Sequence, residues 1–366
     1  MQRAERAAWL RLALTPEIGP RAARTLLAAY GLPDAVFEAG RDSLGRHLGE
    51  PLAGIVASPA GDAVAAAVRA AERWLDLDPS HALLTLADDD YPPLLLAAAD
   101  PPPALFAVGR RQLLSKPALA IVGSRSATQQ GMDNAEAFAQ HLARAGLTIV
   151  SGMALGIDAA AHRGALKALD DGADASTIAV LGTGVDVVYP ASNRPLAEAI
   201  RSRGLLLSEF ALGTPAIARN FPRRNRIISA LARGVLVVEA ALRSGSLITA
   251  RLAAEGGREV FALPGSIHSP TARGCHRLIK EGAKLVESAQ DILDELRIDA
   301  RITDSRAPRP AAHGALLAAL GFDPVDLDTL VARTGRDTGS LAAELLELEL
   351  AQDVERLPGN RYQRLR

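Results

Sequence analysis

Between residues 116 and 296 short, nearly continuous apolar runs alternate with helical periods, and this alternation restricts the fold more than anything else in the 366-residue chain. The strand candidates are 118–122, 147–150, 177–181, 205–208, 235–239, 259–262 and 284–286. Between the first two, Ala135, Phe138, Leu142 and Ala145 recur at spacings of three and four, the stripe of an amphipathic helix laid on a sheet. A strand that is apolar on both faces has to be covered on both. Such strands alternating with helices predict an α/β fold with a parallel, doubly wound sheet. Ligands of such sheets sit beyond the carboxyl ends of the strands.

The flanks read differently. Residues 1–80 are alanine-rich and helical in period, with no strand signal, and predict a small all-α domain. Within them LTPEIGPR at 14–21, followed by apolar Ala22, Leu26 and Ala29, reads as a short turn opening a helix. Helix-hairpin-helix modules offer backbone amides to a phosphate from a similar turn, whereas plain helix packing is the simpler reading. The proline-dense stretches DDDYPPL at 88–94 and DPPPALFAV at 100–108 predict an extended junction leading into the second domain, which covers 81–297. Residues 298–312 are polar and proline-containing, a linker. Beyond it, 313–366 shows helical patterns at 316–320, 327–334 and 340–350, then a turn through PGN at 358–360 into RYQR, the outline of a winged helix. A winged helix that reads DNA carries positive residues on its last helix. Here that helix carries Glu344, Glu347 and Glu349, and 310–366 holds six basic against nine acidic residues, which points to protein binding or regulation instead.

With 48% apolar and 23% charged residues the composition is that of a soluble globular protein. No apolar run approaches the roughly 20 residues of a membrane span, and the first residues lack the order of a signal peptide, so a cytoplasmic protein with no membrane partner is expected. The single cysteine, Cys275, excludes a disulfide within the chain and reads as a buried thiol. The seven histidines show neither H-x-x-x-H nor H-E-x-x-H spacing, so no metal and no cofactor is expected.

Small and polar residues fall in register with the strand ends: GSRSAT at 123–128, SGMALGID at 151–158, GTGVD at 182–186, YPASNR at 189–194, SEF at 208–210 and RSGSLIT at 243–249. Glycines let a backbone approach a ligand, and helix N-termini present unpaired amides, so together these turns predict an anion-binding rim. Residues 218–233 (ARNFPRRNRIISALAR) place Arg219, Arg223, Arg224, Arg226 and Arg233 in a stretch without an acid, although the formal net charge of the chain is −1. A planar guanidinium grips phosphate oxygens bidentately. With Arg125 and Arg194 nearby, phosphodiester binding is favoured over purely structural turns. The rim has the look of a nucleotide-binding fold, yet Gly182-x-Gly184 lacks a third glycine and no G-x-x-x-x-G-K-[ST] occurs.

No catalytic constellation emerges. Asp158 and His162 lie four apart on one helix, but no Ser or Cys stands in a nucleophile-elbow motif to join them. Asp186 and Glu239 are either a carboxylate pair or helix caps and arginine anchors.

These motifs, with LGTGVDVVYPASN at 181–193, FPRRNRIIS at 221–229, VVEA at 237–240, SGSLITA at 244–250, REVFALPG at 258–265 and LIKEGA at 278–283, cover nearly all of 85–297. In order and spacing the chain resembles the DNA-processing protein A (DprA, also called Smf) family. The resemblance implies a Rossmann-like domain, a sterile-alpha-motif-like helical domain before it and an optional winged helix after it. It also implies a non-enzymatic recombination mediator that binds single-stranded DNA, protects incoming strands in natural transformation, helps load RecA and acts as a homodimer. A nucleotide-processing hydrolase on a related fold and a regulatory or defence adaptor are the alternatives. Carried over motif by motif, the DNA-binding residues are Ser124, Arg125 and Thr128, with Gly182, Gly184, Asn193 and Arg194. Phe221, Arg223, Arg224, Asn225 and Arg226 of FPRRNR join them, as do Ser244, Gly245 and Ser246. His276 departs from the family pattern, where asparagine is expected.

Overall fold

The computed structural model describes residues 3–298, 313–350 and 353–365. Its main sheet is built from β1 His81–Thr85, β2 Ala104–Gly109, β3 Ala118–Val122, β4 Thr148–Ser151, β5 Thr177–Val180, β6 Leu205–Ser208, β7 Gly234–Val237, β8 Glu259–Ala262 and β9 Lys284–Leu285. All seven strands expected from the apolar runs are present, with ends shifted by a residue or two. The strand order is β1-β2-β6-β5-β4-β3-β7-β8-β9, parallel from β6 to β9. From β3 the chain steps outward on one side through β4, β5 and β6. It then returns to the other side of β3 for β7, β8 and β9.

Period-two packing explains why these runs are apolar throughout. Leu119 and Ile121 of β3 face the helices Gln129–Arg144 and Ile157–Asp170, while Ala118, Ala120 and Val122 face Asn220–Leu231 and Gly245–Glu255. Each fully buried Leu or Ile side chain contributes roughly 1.5–3 kcal/mol, so a charge placed at Ile121 would break the sheet at its centre. Gly146, at φ 92, supplies the left-handed turn that ends one helix and starts β4.

The junction expected between 88 and 108 needs correction, because β2 lies within it and β1 just before it. Both extend the sheet antiparallel, Leu84 opposite Leu105 and Phe106 opposite Ser208. Proline cannot donate to a strand ladder, so Pro101, Pro102 and Pro103 stand just ahead of β2 and make the run look like a linker.

Helices fill most of residues 3–77. The turn after Arg3–Leu14 leads into Pro20–Tyr30 with proline at its first position and Gly19 as N-cap. These helices share one apolar cluster with the sheet: Trp9, Leu10, Leu26 and Leu44 belong with Phe106, Ala179 and Leu206. Trp74 stacks on His81, ring centroids 3.9 Å apart, and meets Phe106 edge-on at 5.8 Å. No single helix among the described residues is long and apolar enough to cross a membrane.

The C-terminal winged helix has the helices Gly314–Leu320, Leu327–Thr334 and Thr338–Leu350 and a hairpin of Val354–Leu357 and Arg361–Arg364. A two-residue strand, Val325–Asp326, pairs with the hairpin and is absent from the sequence reading. Its Asp326 side chain caps the following helix by accepting from the Thr329 amide at 2.7 Å. Of the expected linker, residues 299–312 lie outside the described residues.

Candidate nucleic-acid interface

The chain reverses direction in the sheet between β3 and β7, where loops leave the two strands on opposite sides and a crevice must open. A cleft of about 730 Å³ occupies that point, lined from the carboxyl ends of β3 to β7. Its charged lining is Arg125, Arg224 and Arg243 against Asp158 alone. Its aromatic lining is Tyr189 and Phe221, with ring centroids 5.6 Å apart at 43°.

Two arginines form an exposed wall. Arg125 and Arg243 face solvent, and neither meets a carboxylate among the described residues. The Arg125 guanidinium lies 5.5 Å from the Phe221 ring centroid. Across the cleft, the helix Gly245–Glu255 begins at Ser244, whose Oγ accepts from the Ser246 amide at 3.3 Å. Ser124, Ser244, Gly245 and Ser246 all line the cleft, as does Asn225, whose Nδ2 donates to the Gly245 carbonyl at 3.5 Å.

Arg224 is the floor. It is only 4% exposed and donates through Nη1 to the carbonyls of Gly152 and Val180, which ties β4 to β5. Burial lowers its pKa to about 10; Asp158 pulls the other way and Arg125 adds to the lowering. Burial raises the Asp158 carboxyl, with Arg224 opposing the shift. Beside them His162 is fully buried, and its ring Nδ1 sits 2.7 Å from the Thr177 hydroxyl. That hydroxyl donates to the Ile149 carbonyl, so the imidazole is the donor to Thr177. Burial holds the His162 pKa down at about 3, and the ring is neutral.

Several residues expected to line the site do other work. Thr128 caps the helix Gln129–Arg144: its Oγ1 accepts from the Gly131 amide at 3.0 Å and donates to Glu239 at 2.6 Å. Gly182 makes room, since a Cβ there would fall 2.8 Å from the Phe221 ring. Gly184 does the same against the Ala211 carbonyl, at 2.7 Å. Asn193 is buried and donates to the carbonyl of Met153, which sits at φ 64. Arg194 is exposed at the start of the helix Arg194–Arg203, outside the cleft. Arg223 lies over Phe210, 5.4 Å from its centroid. Arg226 is ion-paired with buried Glu209 and donates to the Asp100 carbonyl at 2.6 Å.

Neither carboxylate lines the cleft: Glu239 accepts from the Thr128 amide and hydroxyl at the head of a helix, and Asp186 accepts from the Gly213 amide of a turn at 2.9 Å. Cys275 is buried against backbone carbonyls, and burial pushes its thiol up to about 12. His276, at the departure from the family pattern, places Nε2 2.9 Å from the Gly265 carbonyl. Tyr189, Arg243 and Asp158 line the cleft without having been picked out as site residues.

The sequence profile described as DNA recombination-mediator protein A matches residues 82–297, the whole of the sheet and its loops. The chain belongs to this family. The profile described as DprA winged helix domain matches residues 301–360. Protein Smf of Escherichia coli is 44% identical over 305 residues, covering 80% of this chain and 79% of that one. DNA processing protein DprA of Streptococcus pneumoniae is 47% identical over 232 residues, covering 61% of this chain and 80% of that one. The X-ray structure of the Streptococcus pneumoniae protein superposes with a TM-score of 0.57 at 39% identity, covering 75% of this chain and 97% of the other. A Helicobacter pylori family member, solved to describe its single-stranded DNA binding mode, superposes at 0.53 with 32% identity, covering 60% of this chain and 97% of its own.

Proposed function

We propose that this protein is a non-catalytic, single-stranded DNA-binding recombination mediator that grips the strand in the cleft at the β3–β7 switch point. The observation that carries the reading is the charge and ring content of the cleft: three arginines against one aspartate, beside a tyrosine and a phenylalanine. Guanidiniums and helix-end amides hold phosphates whatever the sequence, and rings stack on any base. Family membership supports the same reading, and so does the single-stranded DNA binding described for the Helicobacter pylori relative. As a mediator it protects incoming strands in the cytoplasm, passes them to RecA and works as a homodimer. The binding set narrows to Ser124, Arg125, Phe221, Asn225, Ser244, Gly245 and Ser246, with Tyr189 and Arg243 added. Hydrolysis of a nucleotide is the weaker reading, because Glu239 is turned away to cap a helix.

The test is fluorescence anisotropy of a labelled oligo-dT strand titrated with nucleotide-free protein across a salt series, with duplex as competitor. Tight binding that duplex fails to displace is expected, its log affinity falling against log salt with a slope of about −0.7 per phosphate neutralised. Weak or salt-insensitive binding would count against the mediator and make nucleotide turnover the next assay.

A further inference from the structure

We infer that Glu239 is a positioning residue for strand binding: from outside the cleft its carboxylate clasps the far end of the 123–128 loop and so fixes where the Arg125 guanidinium stands. The inference rests on the reading of the cleft as the seat of the strand, and gives that site a part its own lining does not contain.

The sheet makes a clasp necessary. β3 and β7 lie side by side, Val122 opposite Val237, and beyond these residues the two chains part into loops that line the cleft. Arg125 is exposed on the β3 loop and meets no carboxylate among the described residues. Its place is therefore set by its backbone and by the Phe221 ring, 5.5 Å away.

That backbone is held at both ends. At the near end the Ser124 carbonyl accepts from the Ile157 amide at 3.2 Å, and Gly156 comes so close that a Cβ there would strike the same carbonyl. Between the ends the Ser126 amide donates to Ser124 Oγ at 3.1 Å. At the far end the Thr128 amide donates to one oxygen of Glu239 at 3.0 Å and the Thr128 hydroxyl to the other at 2.6 Å. Glu239 stands two residues past β7, so its reach bridges the two parting chains.

The clasp suits a carboxylate. Each oxygen meets a donor, and the head of a helix favours negative charge. Gly131 is shaped around it, since a Cβ there would fall 2.6 Å from Glu239 Cδ. Glycine is a poor helix former, and admitting this carboxylate accounts for its place in the first turn. The gain falls on binding, because a long side chain whose loop is already ordered loses less freedom when it meets a phosphate.

Charge alone gives the opposite expectation. Removing an acid from beside the cleft should tighten the grip on a polyanion, whereas loss of a positioning residue should weaken it. Anisotropy of labelled oligo-dT with the full chain separates the two, using Glu239→Ala alone and combined with Arg125→Ala. Glu239→Ala should weaken binding about fivefold and, unlike Arg125→Ala, leave the salt slope at its wild-type value, since no phosphate contact is removed. On the Arg125→Ala background the same change should cost no more than about twofold. Glu239→Gln keeps an oxygen for the Thr128 amide and should lose less than Glu239→Ala. Gly131→Ala displaces the carboxylate while keeping its charge; it should match Glu239→Ala, and it decides the matter if Glu239→Ala fails to melt as a folded protein. Binding by Glu239→Ala as tight as wild type or tighter overturns the inference and leaves the DNA reading standing. So does an equal fold loss with and without Arg125. Failure of the wild type to bind the strand overturns the reading of the cleft, and the inference with it.

Discussion

The cleft and the winged helix both hold arginines, and the two regions use them in opposite ways. In the winged helix Arg336 pairs with Glu344 at 2.6 Å, Arg333 donates to the Ala319 carbonyl at 2.8 Å and Arg356 donates to Asn360 at 3.0 Å. In the cleft, Arg125 and Arg243 meet no carboxylate among the described residues, whereas the floor arginine is held by backbone carbonyls of the protein itself. What a polyanion meets is therefore unpaired, solvated charge and not the local count of basic residues. The same distinction divides residues 219–226, where Arg224 and Arg226 are structural while Arg223 stays at the surface.

The contrast breaks most readily at the floor. Replacing Arg224 with alanine removes a buried, doubly bonded guanidinium and should cost about 3–5 kcal/mol in urea unfolding, whereas Arg336→Ala, at a partly exposed pair, should cost less than about 1 kcal/mol. Equal losses would erase the difference between the two regions. A pH series sharpens it next. The His162 pKa is about 3 in the folded state, whereas an unfolded histidine titrates near about 6.5, so below about 6.5 the unfolded chain binds the extra proton. Stability should fall as pH drops from about 6.5 toward 3, at up to about 1.4 kcal/mol per pH unit from this group. Asp158, with its raised pKa, acts in the opposite direction, so the quantity to measure is the slope of the wild type minus that of His162→Gln. Loss of that difference would place the histidine in contact with water.

Smaller effects test the wall. Arg125→Ala and Arg243→Ala should each flatten the salt dependence of oligo-dT binding by about 0.7 in log–log slope, and Arg336→Ala should leave it unchanged. Smallest of all should be the removal of residues 313–366, which changes strand affinity by no more than about twofold if the matched charges there contact no DNA. A tenfold loss would make the winged helix part of the strand's path.

The parallel strands were legible because burial on both faces leaves an unbroken apolar run, as at 118–122 and 205–208. The antiparallel β1 and β2 were hidden by the prolines between them. That Arg125 and the Ser244–Ser246 turn line the cleft was legible because each stands at a strand end or a helix start. The fate of Arg224 was also present in the periodicity: it falls three, four and seven residues before Ile227, Ile228 and Leu231, the buried stripe of its helix. A tally of charge along the chain cannot register that. Tyr189 and Arg243 belonged to the quoted motifs, but only the folding of loops from β5 and β7 toward one crevice selects them from their neighbours.

The apolar cluster joining the N-terminal helices to the sheet bears on how the chain is made. Trp9, Leu10 and Leu26 leave the ribosome early, yet partners such as Phe106, Ala179 and Leu206 follow some 80 to almost 200 residues later. At about 5–20 residues per second that is a wait of several seconds or more, during which a greasy helical surface has nothing to rest on. The sheet-facing side of these helices is thus covered only once residues well downstream have been made, and in the nascent chain that side is the natural place for a chaperone to hold.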